Sequence, residues 1–244
     1  MKILVCISKT PETTAKIGFK ENNTAYDESG VQFIMNPYDE WYALVKAVEL
    51  KEAHGGSVTV INVGPASNDV VIRKALAIGA DDAIRVDAEA SSAAFTAQQI
   101  AENAKGYDLI LTGKETIDYN GAEVGAMIAE HLDLPYVSFG THLDMDGSTA
   151  KVTREIEGGT ETSEIATPLV ISAAKGMAEQ RIPNMRGIMM AKRKPLNVVA
   201  ATTSDNHVKV ASFSLPDAKA GVKMIDPENM DELVRLLQEE AKVL

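Results

Sequence analysis

A chain of 244 residues, 45% of them hydrophobic, can bury a sizeable core and is neither collagen-like nor disordered. Its formal net charge of −11 opposes nonspecific nucleic-acid binding, which needs an excess of phosphate-neutralising cations. The single cysteine excludes an internal disulfide and a cysteine metal cluster, and the apolar run from Ile3 to Ile7 is too short for a signal-peptide core or a membrane span, so a cytoplasmic protein with no membrane insertion is expected.

Ile3 to Ile7 reads as a first strand, with Cys6 as a buried thiol, and Ser8 to Lys16 as the polar loop at its end. Gly18 to Met35 is an excursion, with hairpin turns expected at Asn22-Asn23 or Ser29-Gly30. Asn36-Pro37-Tyr38-Asp39 opens a helix whose buried face carries Trp41, Leu44, Val45 and Val48, stopped by Gly55-Gly56. Val58 to Val63 is the second strand. A helix follows from Asp69 to Gly79, then a short strand, Ala83 to Val86, and a helix marked by Ala97, Ile100, Ala101 and Ala104. Leu109 to Leu111 is a buried strand, and Val124, Met127, Ile128 and Leu132 define a helix expected to start near Gly121 with Asn120 as its N-cap.

This alternation predicts right-handed βαβ crossovers and an α/β fold with a mostly parallel, doubly wound, Rossmann-like sheet. Ligands of such sheets lie at the carboxyl ends of the strands. The loops Ser8 to Lys16, Asn36 to Asp39, Gly64 to Ser67 and Gly113 to Asn120 should therefore converge on one crevice, with small residues at a helix start suited to a phosphate. No G-x-G-x-x-G follows the first strand, and Gly113-Lys114 is followed by Glu115 instead of the Ser or Thr of a P-loop.

After Pro135 short strand-like pieces take over: Tyr136 to Phe139, Leu143 to Met145, Val152 to Ile156 and Glu161 to Ile165, with turns at Asp146-Gly147 and Gly158-Gly159. They read as an antiparallel addition to the sheet, followed by a buried strand, Leu169 to Ala173. Residues 1–196 thus form one nucleotide-binding domain, including a loop at 176–195, and residues 197–244 an arm suited to wrapping a partner. In that arm Asp226 caps and Pro227 opens a last helix, whose stripe of Met230, Leu233, Val234 and Leu237 is expected to pack on its own domain.

Between Lys175 and Lys194 six basic residues stand against one acid, Glu179, among four of the chain's ten methionines. Cations with adaptable thioethers suit a surface that meets acidic partners. His54, His131, His142 and His207 share no metal-ligand spacing.

The sequence resembles the beta subunit of electron transfer flavoprotein from Met1 to about Leu196. The resemblance rests on Val152 to Glu161 (VTREIEGGTE), Arg181 to Pro195 (RIPNMRGIMMAKRKP), Asn36 to Glu40, Arg73 to Asp81 and Gly113 to Asp118, in order. It implies half of an alpha/beta heterodimer that carries electrons from flavoprotein dehydrogenases, such as acyl-CoA dehydrogenases, to a quinone-linked or other acceptor. FAD would be shared with the alpha subunit, and AMP, or in bifurcating members a second FAD, would fill the beta-subunit crevice. Position by position, that pocket would be lined by Cys6, Asn36, Pro37, Tyr38, Asp39, Val63, and Glu115, Thr116, Ile117, Asp118, Tyr119, Asn120, Gly121, Ala122, Glu123, Val124 and Gly125.

Simple members resemble D-D-D-x-N-Q-T here and bifurcating ones D-G-D-T-A-Q-V-G-P. The Ala122-Glu123-Val124-Gly125 part looks more like the second, yet this chain has the bulky Tyr119 where the second has Gly, and Glu123 where both have Gln, an acid that must turn away from a phosphate or pair, for instance with Lys114. Dehydrogenase docking would fall to Arg181, Met185, Arg186, Ile188 and Met189, with Met185 at the position of a docking leucine. Glu155, Glu157 and Glu161, read on one strand, would share a solvated or interface face able to pair with a cation on the alpha subunit. A reading from another class, a stand-alone nucleotidyl transferase or ATP hydrolase on the same fold, lacks a phosphate-gripping loop and a credible acid/base pair.

Overall fold

The structure is a computed structural model that describes residues 1–204, 208–219 and 221–244; His207 lies outside the described residues. In chain order, β1 (Lys2–Cys6) is followed by four short strands, β2 (Lys9–Pro11), β3 (Phe19–Lys20), β4 (Ala25–Tyr26) and β5 (Phe33–Met35). Next come α1 (Asp39–His54), β6 (Ser57–Val63), α2 (Asp69–Ile78), β7 (Asp82–Asp87), α3 (Ala93–Asn103), β8 (Leu109–Gly113) and α4 (Val124–Leu132). The chain continues through β9 (Tyr136–Asp146), β10 (Thr149–Ile156), β11 (Gly159–Ala166), β12 (Leu169–Ala173), α5 (Met185–Ala191), β13 (Leu196–Ala200) and α6 (Met230–Glu239).

Nine strands among the described residues form one sheet in the order β11-β10-β9-β12-β8-β1-β6-β7-β13. The run from β9 to β13 across this order is parallel, and only the β9-β10-β11 meander is antiparallel. β1 is central, with Ile3 opposite both Val58 and Leu109. Its period of two sorts the core into layers. Ile3, Val5 and Ile7 join Leu44 and Val48 of α1 and Ile72 and Leu76 of α2 on one face. Leu4 and Cys6 join Ile100 of α3 and Ile128 of α4 on the other. Each such large aliphatic side chain, withdrawn from water, contributes about 1.5–3 kcal/mol. The two layers make the fold doubly wound, as the alternation of elements requires.

Several boundaries differ from the sequence reading, each for a local reason. Part of the polar loop after β1 is the strand β2, which pairs antiparallel with β5, while the excursion turns at Asn22-Asn23 between β3 and β4. Tyr136 to Met145 is one long strand with a bulge against β10, where Gly140 and His142 face consecutive residues Arg154 and Thr153. Leu196 to Ala200 pairs with β7 through the register Leu196↔Ala83 to Ala200↔Asp87, so the sheet runs past position 196. Helix α6 begins at Met230, capped by Asn229, which accepts from the Glu232 N–H at 3.3 Å; Asp226 instead closes a turn onto the Glu228 N–H. Its stripe is divided: Leu233 and Leu237 are partly buried, while Met230 and Val234 are about half exposed, at 49% and 45%; Leu236 beside them is buried.

Candidate functional site

At the carboxyl ends of β1 and β8 the first turn of α1 meets the loop that leads to α4. The two are fastened by Asn36, fully buried just before α1. Its Nδ2 donates to Glu115 O and its Oδ1 accepts from the Ile117 N–H, both at 3.0 Å. One side chain thereby satisfies two backbone groups of a loop that has no ladder to do so. α1 approaches β8 so closely that a Cβ on Gly113 would lie 2.7 Å from Glu40 Cγ and 3.0 Å from Glu40 N, which leaves room there for glycine alone.

Glu40 occupies the centre of this junction. The Ser8 N–H donates to Glu40 Oε2 at 2.7 Å, and the Ser8 hydroxyl lies 2.6 Å from Oε1. Burial, reinforced by the negative Asp118 and Asp39, pushes its carboxyl from the ordinary range up to about 8 against the lowering effect of the Ser8 bonds. Burial likewise raises Asp39, only partly offset by Lys114. The Cys6 thiol beneath is raised by burial and by the nearby Glu40.

A cleft of about 300 Å³ opens between α1 and the β8-α4 loop. Pro37, Tyr38, Asp39, Glu115, Ile117 and Asn120 line it, together with Tyr42, Lys114 and Lys175. The sequence reading named the first six; the other three arrive through α1, β8 and the turn after β12. Tyr38 holds a left-handed backbone, with φ of 64°, and keeps its ring about half exposed at 51%. Cys6 and Val63 end their strands inside the second core layer, each 6% exposed, and do not line the cleft.

Beyond Ile117 the loop is held by its own turns: the Asn120 N–H donates to Thr116 O at 2.9 Å, and Asp118 Oδ1 accepts from the Tyr119 N–H at 3.0 Å. Asn120 and Ala122 have φ of 50° and 54°, so the chain cannot be helical there and α4 starts at Val124. Asn120 is therefore a turn residue rather than the N-cap. The cap position is Glu123, whose side chain makes no cap bond among the described residues, and the first amides of α4 are left for another acceptor. Lys114 pairs with Glu115 at 2.9 Å and not with Glu123, whose carboxylate folds towards Gly121. Thr112 Oγ1, buried with no hydrogen-bond partner among the described residues, lies 2.8 Å from where a Cβ on Gly125 would stand.

Residues 23–204 match the family described as Electron transfer flavoprotein domain. Three full-length relatives carry the name Electron transfer flavoprotein subunit beta. The protein of Syntrophomonas wolfei is 40% identical over 232 residues, covering 93% of this chain and 90% of that one. The Bacillus subtilis protein is 34% identical over 100% of both, and the human protein 33% identical over 100% of this chain and 99% of its own. The chain belongs to the electron transfer flavoprotein family.

The family match ends near residue 204, so it takes in α5 and β13 and leaves out most of the arm. Asn184 caps α5 by accepting from the Gly187 N–H at 2.8 Å, and a Cβ on Gly187 would come 2.5 Å from Ala77 O, so α5 lies directly on α2. Ala191 is its buried contact. Met185, Ile188 and Met189 point outward at 74%, 43% and 68% exposure.

The basic run around α5 divides in two. Arg181 forms a two-point ion pair with Glu52 at 2.8 and 3.0 Å while its carbonyl accepts from Trp41 Nε1, and Lys194 donates to the carbonyls of Leu76 in α2 and of Ala80 just past its end. Those two cations brace the fold. Arg186, Lys192 and Arg193 remain exposed beside the methionines.

The three glutamates of the β10-β11 meander are not on one strand. Glu155 is on β10 opposite Thr160, Glu157 is in the turn, and Glu161 is on β11, paired with Arg154 at 3.2 Å. No helix among the described residues is long and apolar enough to cross a membrane, and no group of three or more metal-ligating side chains gathers among them. Besides Tyr42, Lys114 and Lys175, sequence reasoning missed Glu40: it belongs to the Asn36 to Glu40 motif, but only the approach of α1 to β1 and β8 reveals that it is enclosed.

Proposed function

We propose that the chain is the beta subunit of a heterodimeric electron transfer flavoprotein, taking electrons from flavoprotein dehydrogenases and delivering them to a quinone-linked or other acceptor. The observation that carries this reading is the full-length likeness to proteins named subunit beta, which extends over the crevice and α5 alike. FAD, shared with an alpha subunit, supplies the electron chemistry when bound.

This chain's own residues hold an adenine nucleotide. The free first-turn amides of α4 suit a phosphate, and Thr112 offers an unused hydroxyl. A cleft of about 300 Å³ stands at the small end of ligand pockets and favours AMP over a second FAD. The exposed methionines of α5 and their neighbouring cations form the dehydrogenase-docking surface.

The test is co-expression with the neighbouring alpha subunit. The purified pair should be yellow, and denaturation should release one FAD and one AMP per heterodimer. Two FAD and no AMP would replace the adenylate assignment. A chain that stays monomeric beside the alpha subunit and turns over a nucleotide by itself would overturn the reading.

A further inference from the structure

Burial sorts the methionines of this chain. Met35 and Met177 are buried in the first core layer, whereas Met185, Met189 and Met190 of α5 stand open to solvent; Met224 and Met230, also exposed, lie in the arm. Met185, Ile188 and Met189 follow at helical spacing, i, i+3 and i+4, and so share one face of α5. The helix is seated without them. Gly187 lies against the Ala77 carbonyl, the Asn184 side chain caps the first turn, and at the other end Arg73 Nη1 donates from α2 to the carbonyls of Ala191 and Lys194, at 2.8 and 2.7 Å. A chemical change at the two sulfurs therefore alters the face and not the position of the helix. Where an anchor needs only apolar surface, leucine serves as well as methionine; the thioether adds compliance and a site of oxidation.

We propose that Met185 and Met189 are oxidation sites, and that their conversion to methionine sulfoxide disables the docking face of α5 until it is reversed. The oxidant is hydrogen peroxide. The thioether sulfur attacks one peroxide oxygen, the O–O bond breaks as the S–O bond forms, and the other oxygen leaves as water with both protons; sulfur gives up two electrons and peroxide takes them. Each apolar tip becomes a polar acceptor that has to lose its water when a partner covers it. Reversal uses a methionine sulfoxide reductase and a dithiol, which becomes a disulfide while the sulfoxide oxygen departs as water. This rests on the docking reading above and adds to it a covalent means of turning that surface off. The neighbouring Ile188, Arg186, Lys192 and Arg193 carry no sulfur to oxidise.

The experiment uses the intact heterodimer, treated with hydrogen peroxide, cleared of it with catalase, and assayed with a dehydrogenase that reduces the untreated protein. Peptide mass spectrometry should find Met185 and Met189 oxidised before Met35 and Met177, with flavin content unchanged and reduction at least about fivefold slower. The two epimer-specific reductases with a dithiol should restore the rate. Met185→Leu/Met189→Leu, whatever rate it starts from, should keep that rate through the treatment, although Cys6, Met190, Met224 and Met230 remain in it. A variant that slows as the parent does would put the sensitive group elsewhere and overturn the proposal. So would oxidation of both residues with no change in rate, oxidation of Met35 and Met177 ahead of them, or a slower rate that comes with flavin release. If the untreated heterodimer accepts electrons from no candidate dehydrogenase, the docking reading itself fails and takes this inference with it. The order of oxidation and the rate of the treated parent need no variant, so a poorly folded one leaves the test decisive.

Discussion

Asn36 and Glu40 are four residues apart, yet each joins elements distant in sequence. Asn36→Ala would leave the Ile117 N–H and the Glu115 carbonyl without partners beside a buried cavity, which should cost about 2–3 kcal/mol in urea unfolding and loosen the β8-α4 loop to hydrogen exchange. Glu40 makes the opposite kind of mark, on pH dependence. Its folded pKa lies above its unfolded value, so between roughly pH 4.5 and 8 the native state holds the extra proton and stability falls as pH rises. Glu40→Gln should remove that slope: measured against the variant, the parent should lose more than about 1 kcal/mol between those limits. The opposite slope would mean that Ser8 stabilises the anion and that Glu40 folds ionised. Neither effect is visible in sequence, because NPYDE reads as a helix start and says nothing of what packs on it.

At the scale of elements, periodicity located α1, α2 and α3 because each has a single buried face, and the central strands stood out as continuous apolar runs because they are buried on both faces. It failed where backbone conformation overrides composition. Asn120 has the composition of an N-cap, but two left-handed residues push the start of α4 to Val124. β13 was hidden because its half-exposed, five-residue run resembles the start of a thinly apolar tail; only its pairing with β7 makes it a sheet edge. The basic run shows the same limit, since composition cannot tell Lys194, fixed on the end of α2, from Arg186, free beside α5. Two variants separate the roles of α5. Gly187→Ala forces a Cβ against the Ala77 carbonyl, and should cost about 1–3 kcal/mol of stability and tilt the helix. Met185→Ala touches only an exposed side chain and should leave stability and flavin content unchanged while slowing reduction by the cognate dehydrogenase about tenfold, the weight of one docking anchor near 1.4 kcal/mol. Equal rates with every candidate dehydrogenase would remove α5 from the docking surface.

Over the whole molecule, exposed apolar side chains are unevenly placed. Besides those around α5, they gather beyond position 197: Val198, Val210, Leu215, Val222, Met224 and Val234 are all close to half exposed or more. Such a concentration on an otherwise acidic chain marks a surface that is covered in the working assembly. The arm is joined to the body by β13 on β7 and by the Thr202 N–H, which donates to Gln99 Oε1 at 2.8 Å; farther along, Phe213 stacks on Phe19, with centroids 4.9 Å apart, and its N–H donates to Asn23 O at 2.7 Å. α6 is braced by its own Glu232–Arg235–Glu239 ion pairs rather than by the sheet. Little of the core therefore depends on residues 208–244, whereas their exposed surface has the character of one side of an obligate interface, the class that buries more than about 2,000 Å² in total. Deleting residues 208–244 should lower the thermal midpoint of the chain by no more than a few degrees, because one ring stack is worth about 0.5–1.5 kcal/mol beyond its area. The same deletion should abolish a stable heterodimer in sedimentation with the alpha subunit. Phe213→Ala should fall between the two, weakening association only to the extent that the stack positions the arm beforehand. A truncated chain that still sediments as the heterodimer would assign the interface to the body of the fold and leave the arm's apolar surface without a role.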